Sequence, residues 1–146
     1  MIRIANKFDM PKLIEMLWHY HDTGVVHNLE VSDEETAAKI LTHIFIGGGI
    51  AIISEKDDKP IGMLLAIITP YLWDHSKFVM SEIAYWVEPE HRGSTAGYRM
   101  LKKYIQECDK MKEQGRIHNY TMSQMEGQTL DYGKFGMRPM ETTWSI

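Results

Sequence analysis

The stretch Val87-Glu88-Pro89-Glu90-His91-Arg92-Gly93-Ser94-Thr95-Ala96-Gly97 holds the densest set of residues able to do chemistry. It leaves an apolar run and enters a helix-compatible segment, so unpaired main-chain N–H groups and the positive end of a helix dipole converge on it. Such a turn can hold a phosphate or pyrophosphate, and Gly93 and Gly97 let the backbone approach closely. The same residues also suit an ordinary strand-to-helix connection, and on spacing alone the two readings stand level. Glu82 is the second candidate. It interrupts the apolar run Val79 to Val87, where burial beside Ile83 and Tyr85 would raise its pKa toward neutrality and make it a base. A solvent-facing glutamate at a strand end is the competing reading. Glu88 and His91 are fallback bases reached through water, with His91 read chiefly as a loop residue.

Other signals carry less. His19, His21 and His27 suggest a metal, yet positions i and i+2 of a helix point to different faces, so no metal site is expected. Gly47-Gly48-Gly49 follows a helix and precedes a strand, the reverse of a phosphate loop, and reads as a helix stop. Cys108 lies on an apolar helix stripe and reads as a core residue rather than a reactive nucleophile. Lys102, Lys103, Lys110, Lys112 and Arg116 read as a solvated face, though Arg99 or Lys102 could approach a phosphate held at the turn.

The elements that must position these groups follow from periodicity. Ile2 and Ile4 form a short alternating segment. Asp9 reads as the cap of a first helix whose stripe is Met10, Leu13, Ile14, Leu17 and Trp18, broken near Gly24. Ser32 with Glu35 reads as a capping box opening a second helix with the stripe Ala37, Ile40, Leu41, Ile44 and Phe45. Ile50 to Ser54 and Ile61 to about Thr69 are strands of a hairpin turning at Asp57 and Asp58, and Pro70 to Lys77 reads as a loop. Val79 to Val87 is the next strand, followed by a helix from Tyr98 to Gly115. A strand from Ile117 to Ser123, a short helix from Gly127 to Phe135 and an extended end from Met137 to Ile146 complete the chain. The order implies an α+β fold with a mixed, mostly antiparallel central sheet flanked by helices.

At 146 residues the chain is one domain, residues 1–146, and 44% hydrophobic with 25% charged residues suits a packed core. A charge of -4 argues against a protein that grips nucleic acid or anionic membrane, so neither is an expected partner. One cysteine makes no internal disulfide and no thiolate zinc site, and the apolar run Ile61 to Ile68 is too short for a bilayer, which together imply a cytoplasmic location.

V-x-P-E-x-R-G-x-x-x-G after an apolar strand resembles the acetyl-CoA pyrophosphate loop of the GNAT superfamily of N-acetyltransferases. Tyr132-Gly133-Lys134-Phe135-Gly136-Met137 is similar to that family's C-terminal Y-x-K-x-G-F signature. The likeness spans residues 1 to 146 and implies a GNAT acyltransferase fold using acetyl-CoA as co-substrate and no metal. It assigns cofactor binding to Val87, Arg92, Gly93, Ser94, Thr95, Ala96 and Gly97. A catalytic base falls on Glu82, a general acid on Tyr132, and the donor to the thioester oxygen on backbone N–H around Val87. Three positions depart from the family pattern. Thr95 replaces the middle glycine of the loop, Met125 stands where an asparagine is frequent, and only ten residues follow Gly136. The last sheet strand is therefore expected to be short or completed by a partner chain, which would make a homodimer.

The chemistry this implies can be set out by demand. An amine with the pKa of lysine is neutral in about one molecule in 2,500 at pH 7, a penalty of roughly 4.6 kcal/mol on the attacking form. A base is therefore useful, and a thiolate with a pKa near 8.5 benefits from a donor as it departs. The acceptor, a small-molecule or protein amine, would lie between the segment Trp18 to Val31 and the loop Tyr71 to Ser76. Trp18, Tyr20, Tyr71 and Trp73 would form its aromatic wall or serve as ordinary packing. A catalytically silent CoA-sensing or protein-binding module is the alternative that Thr95 and Met125 suggest.

Overall fold

The computed structural model describes residues 1–22, 33–125, 128, 130–144 and 146. Gly24, His27, Val31, Ser32 and Gly127 lie outside the described residues. Eight principal elements follow in the order β1 (Ile2–Ile4), α1 (Met10–Asp22), α2 (Glu34–His43), β2 (Gly49–Lys56), β3 (Lys59–Tyr71), β4 (Asp74–Val87), α3 (Ala96–Glu113) and β5 (Asn119–Thr121). The five strands make one sheet in sequence order, antiparallel from β1 to β4, with β5 parallel to β4.

Period-two alternation divides the sheet's side chains between two helix layers. Ala51, Ile53, Met63 and Leu65 pack with Leu13, Ile14, Met16 and Tyr20 of α1 and Ala37 and Leu41 of α2. Ile50, Ile52, Leu64 and Ala66 pack on the other face with Met100, Leu101, Tyr104 and Cys108 of α3. The strand β4 breaks the alternation. Leu65 is opposite Ala84 while Ala66 is opposite Glu82, which leaves Ile83 as an extra residue in a β-bulge. The insertion reverses the faces. Met80 joins the α3 layer, whereas Ala84 and Trp86, also even-numbered, join the α1/α2 layer.

Several sequence expectations are corrected in detail. The cap ahead of α1 is Asn6, whose side chain accepts the Phe8 N–H at 2.9 Å, while Asp9 reaches back to the Asn6 N–H. Asp9 is thus the acidic half of a capping box around the 3-10 turn that leads into α1. The cap of α2 is Asp33 rather than Ser32, accepting the Thr36 N–H at 3.2 Å. Pro70 to Lys77 is not a loop: β3 continues to Tyr71 and β4 begins at Asp74, turning at Leu72 and Trp73. Thr69 and Val79 keep the pairing going, and Pro70 is tolerated because a register shift falls beside it. The short helix expected from Gly127 reduces to a 3-10 turn, Tyr132–Phe135, started by Asp131 accepting the Gly133 N–H and stopped by Gly136 at φ +82°. Among the described residues, none from 137 to 146 forms a strand, and Pro139, with no N–H to donate, falls in that segment. The hairpin at Asp57 and Asp58 is as expected, with φ of +52° and +62° in the manner of a type I′ turn.

Candidate active site

The parallel ladder between β4 and β5 ends after Ser81 and Thr121, while β4 continues to Val87 paired only with β3 among the described residues. One edge of β4 is thereby open from Glu82 onward. Its polarity follows from register. The Glu88 N–H donates to the Ile61 carbonyl at 2.8 Å, so the adjacent pair Val87/Gly62 is non-hydrogen-bonded, and so is Tyr85/Leu64. The main-chain N–H and C=O groups of Tyr85 and Val87 therefore face the open edge, which carries two donors and two acceptors, one of the acceptors, the Val87 carbonyl, already bonded to Arg92.

Glu82 sits at the start of this edge beside the bulge. It is 8% exposed, and burial pushes its carboxyl up to about 7 against a lone opposing contact, the Ser123 N–H donating to Oε2 at 3.3 Å. The solvent-facing alternative for Glu82 is thus removed. Its charge reaches Tyr20 from α1, Tyr85 from its own strand, Tyr104 from α3 and Tyr132 from the C-terminal turn. Tyr132 donates its hydroxyl to the Ser123 carbonyl at 3.4 Å, and burial, helped by Glu82, raises its pKa to about 12. Glu82 and Tyr132, separated by 50 positions in sequence, thus meet through the main chain of one residue, Ser123.

At the other end of the edge lies the glycine-bearing loop. Gly93 adopts φ +86° with open space where a Cβ would be, and no acidic residue occupies the first turn of α3. Ser94 bridges the turn: its hydroxyl donates to the His91 carbonyl at 2.7 Å and accepts the Ala96 N–H at 3.3 Å. Thr95 is the residue before the helix and its exposed side chain makes no capping bond. The N–H groups of Gly97 and Tyr98, in the first helical turn, have no intrahelical acceptor by geometry. Gly97 is held against the sheet, because the Tyr85 hydroxyl donates to its carbonyl and a Cβ there would lie 3.1 Å from that hydroxyl. Open edge, free amides and a glycine cradle suit an extended ligand that carries a phosphate or diphosphate. Further along α3, Tyr98, Arg99, Lys102, Lys103 and Gln106 line an open groove of about 310 Å³.

Arg92 is placed differently from its neighbours. Its Nε donates to the Val87 carbonyl at 3.0 Å and its guanidinium lies 4.4 Å from the Trp86 ring centroid, on the α1/α2 side. Its side chain thus folds back over the end of β4. Glu88 is engaged by His19, whose Nδ1 is 2.8 Å from its carboxylate, and that bond holds the imidazole pKa up. The Trp86 Nε1 and His21 Nδ1 atoms are buried without a hydrogen-bond partner among the described residues. The expected aromatic wall divides: Tyr20 is buried and stacks edge-on with Trp86, whereas Tyr71 and Trp73 are exposed at the β3–β4 tip. Sequence reasoning missed Tyr85 as the support of Gly97, the pairing of His19 with Glu88, and Ser123. Alternation marks Tyr85 only as a strand residue, and main-chain roles such as that of Ser123 leave no side-chain signal.

Cys108 is fully buried and burial raises its thiol to about 12, which leaves it without thiolate character. Among the described residues no group of three or more His, Cys, Asp or Glu is placed to hold a metal ion, and no helix is long and apolar enough to cross a membrane.

The fold has many solved counterparts. A predicted acetyltransferase from Clostridium acetobutylicum, solved with acetyl-CoA, superposes with a TM-score of 0.74 at 15% identity, covering 100% of this chain and 94% of its own. An acetyltransferase from Trypanosoma brucei gives 0.68 at 17%, covering 100% and 97%. An aminoglycoside acetyltransferase from an uncultured soil metagenomic sample, in complex with trehalose, gives 0.65 at 14%, covering 100% and 95%. No curated protein matches by sequence. The model of the acetyltransferase (GNAT) family matches residues 11–137, which takes in both helices of the first layer, the open strand, the glycine loop and Tyr132. On that match, together with the bulged, half-open central strand, the chain belongs to the GNAT family of acetyltransferases.

Proposed function

We propose that residues 1–146 form one N-acetyltransferase domain that moves an acetyl group from acetyl-CoA to a primary amine by direct attack in a ternary complex. The observation that carries this reading is the open edge of β4, with a buried carboxyl of raised pKa at one end and a glycine-bearing helix N-terminus at the other. The diphosphate would lie on the amides of residues Gly93 to Gly97, with Ser94 and Thr95 hydroxyls at its margin. The thioester oxygen would take an N–H from the edge at Tyr85 or Val87. As the amine nitrogen bonds to the acetyl carbon, Glu82 takes the ammonium proton, the C–S bond breaks and CoA leaves as its thiolate. Buried Cys108 offers no competing acyl-enzyme route.

Tyr132 serves as a donor to the departing sulfur, and magnitudes define that role. A phenol at about 12 giving its proton outright to a thiolate of pKa near 8.5 is uphill by roughly 5 kcal/mol. Hydrogen bonding to the developing charge costs nothing of that kind, and protonation of Glu82 removes the smaller, electrostatic part of what raises the phenol pKa, burial being the larger. Tyr132→Phe is therefore expected to lower kcat by about tenfold, the worth of one hydrogen bond to a charged group. Single-turnover measurement at pH 7.5 checks it, and full turnover in the variant removes the assignment.

Donor binding has its own signature. A ligand amide that takes the Val87 carbonyl must displace the Arg92 Nε, which also lifts the guanidinium from the Trp86 ring. Saturating CoA is expected to shift the Trp86 indole N–H resonance while those of Trp73 and Trp144, 81% and 89% exposed, stay in place. An unmoved Trp86 signal at saturation overturns the displacement. A silent module is the second reading, and Arg92 lying on the Val87 carbonyl is the observation that favours it. Incubation with acetyl-CoA and an amine panel including aminoglycosides, followed by mass spectrometry, separates the two: acetylated product supports the transferase, and CoA binding with no product on any amine supports the module.

A further inference from the structure

We infer that the Ser123 main chain is a positioning element that clasps Glu82 through its N–H and Tyr132 through its C=O, so that the backbone of one residue registers both proton-handling side chains across the mouth of the open cleft. The inference rests on the acetyl-transfer reading for its catalytic meaning, but its geometry stands separately. In a continuing parallel ladder the N–H beyond Thr121 would be given to a main-chain carbonyl of β4. Here the Ser123 N–H goes instead to Glu82 Oε2 at 3.3 Å, and pairing stops. The carboxylate has taken a ladder donor, which ends the β4–β5 pairing where the cleft opens. The carbonyl of the same residue accepts the Tyr132 hydroxyl at 3.4 Å.

The two contacts leave from the two peptide planes that meet at the Ser123 Cα. Each plane is rigid, so the backbone of this one residue fixes the spacing between base and donor. The Ser123 side chain is exposed and makes neither contact, so the role belongs to the backbone alone. The titratable groups close enough to feel the charge of Glu82 are Tyr20, Tyr85, Tyr104 and Tyr132. Tyr85 donates to Gly97 and Tyr104 to the Thr121 carbonyl at 2.9 Å, while the Ser123 N–H donates to Glu82 and favours its ionised carboxylate.

The test begins with the unaltered protein. In ¹H–¹⁵N spectra the Ser123 amide proton is expected to move downfield with rising pH along the same midpoint as the ¹³C signal of the Glu82 carboxyl, and to lose that titration in Glu82→Gln. An amide that stays flat while Glu82 titrates overturns the clasp. Ser123→Pro deletes the donor and keeps the carbonyl, so the acid limb of the kcat/KM profile is expected to move up by about 0.5 to 1 pH unit, since a lost hydrogen bond disfavours the carboxylate. Ser123→Ala keeps both main-chain contacts and is expected to leave the limb in place; a limb that shifts as far in the alanine variant overturns the backbone assignment. Should Ser123→Pro fail to fold, the amide titration of the unaltered chain decides alone. A titrating amide in a protein that acetylates no amine counts against the transferase reading and leaves the clasp standing.

Discussion

Glu82→Gln is expected to lower kcat by about 10²- to 10³-fold, the range for removing a general base, while CoA affinity stays within about twofold. Glutamine keeps an acceptor oxygen for the Ser123 N–H, so the end of the β4–β5 ladder is preserved and only proton uptake is lost. The pH profile carries the sign. A carboxyl raised to about 7 is protonated below that value and cannot accept a proton, so turnover should rise with pH through about 7 in the unaltered enzyme. In Glu82→Gln the residual rate should instead climb smoothly with the fraction of neutral amine.

Stability should move the opposite way. The folded-state pKa of Glu82 exceeds its ordinary value of 4.5, so between 4.5 and about 7 the native state binds more protons than the unfolded chain. Stability from this group is therefore present below 4.5 and is lost as pH rises through about 7, where a buried carboxylate must be tolerated. At pH 8 the penalty amounts to about 3 kcal/mol by linkage. Glu82→Gln is thus expected to melt higher than the unaltered protein at pH 8 and no higher at pH 4. A group that lowers stability while serving turnover is what a functional carboxyl buried for its chemistry looks like. Thermal melts at the two pH values, beside the rate profile, test both signs; a variant less stable at pH 8 contradicts the burial argument.

The central layer of this fold could be read from residue order because its signals are local. The stripe Leu13, Ile14 and Leu17, the paired aspartates at 57 and 58 and the run from Ile61 each fix an element by period or turn type. The glycine loop was legible for the same reason, since Gly93 and Gly97 flank the entry to α3. What was not legible depends on register. No local pattern distinguishes Ile83 as a bulge, yet that residue decides which face Trp86 takes and where Glu82 points its carboxyl. The β3–β4 hairpin was masked by Pro70, Asp74 and Ser76, residue types that favour turns but here are absorbed by pairing and by Asp74 accepting the Ser76 N–H at 3.1 Å. The pairing of His19 with Glu88 spans 69 positions, a distance over which periodicity carries no information.

Gly97→Ala is expected to weaken CoA binding by about 10- to 100-fold, and the direction of the added methyl explains why. A Cβ at this position points into the sheet, 3.1 Å from the Tyr85 hydroxyl and 3.6 Å from Val87 Cγ2, rather than outward where phosphate oxygens would lie. The second distance is ordinary contact and the first is not. Tyr85 cannot simply withdraw, because its hydroxyl is the donor to the carbonyl of the same residue. The first turn of α3 must therefore lift, carrying with it the amides that would face the diphosphate. Overpacking of this kind costs about 1–3 kcal/mol, whereas alanine for glycine near a helix start returns at most about 1 kcal/mol of propensity. Strain wins. The double variant Tyr85→Phe with Gly97→Ala removes the hydroxyl that the methyl meets, so its CoA affinity should recover to within about threefold of Tyr85→Phe alone, the non-additivity that residues in contact show. Isothermal titration of the four proteins with CoA closes the cycle. Additive losses would show that the methyl acts on the ligand directly and that Tyr85 does not support the loop.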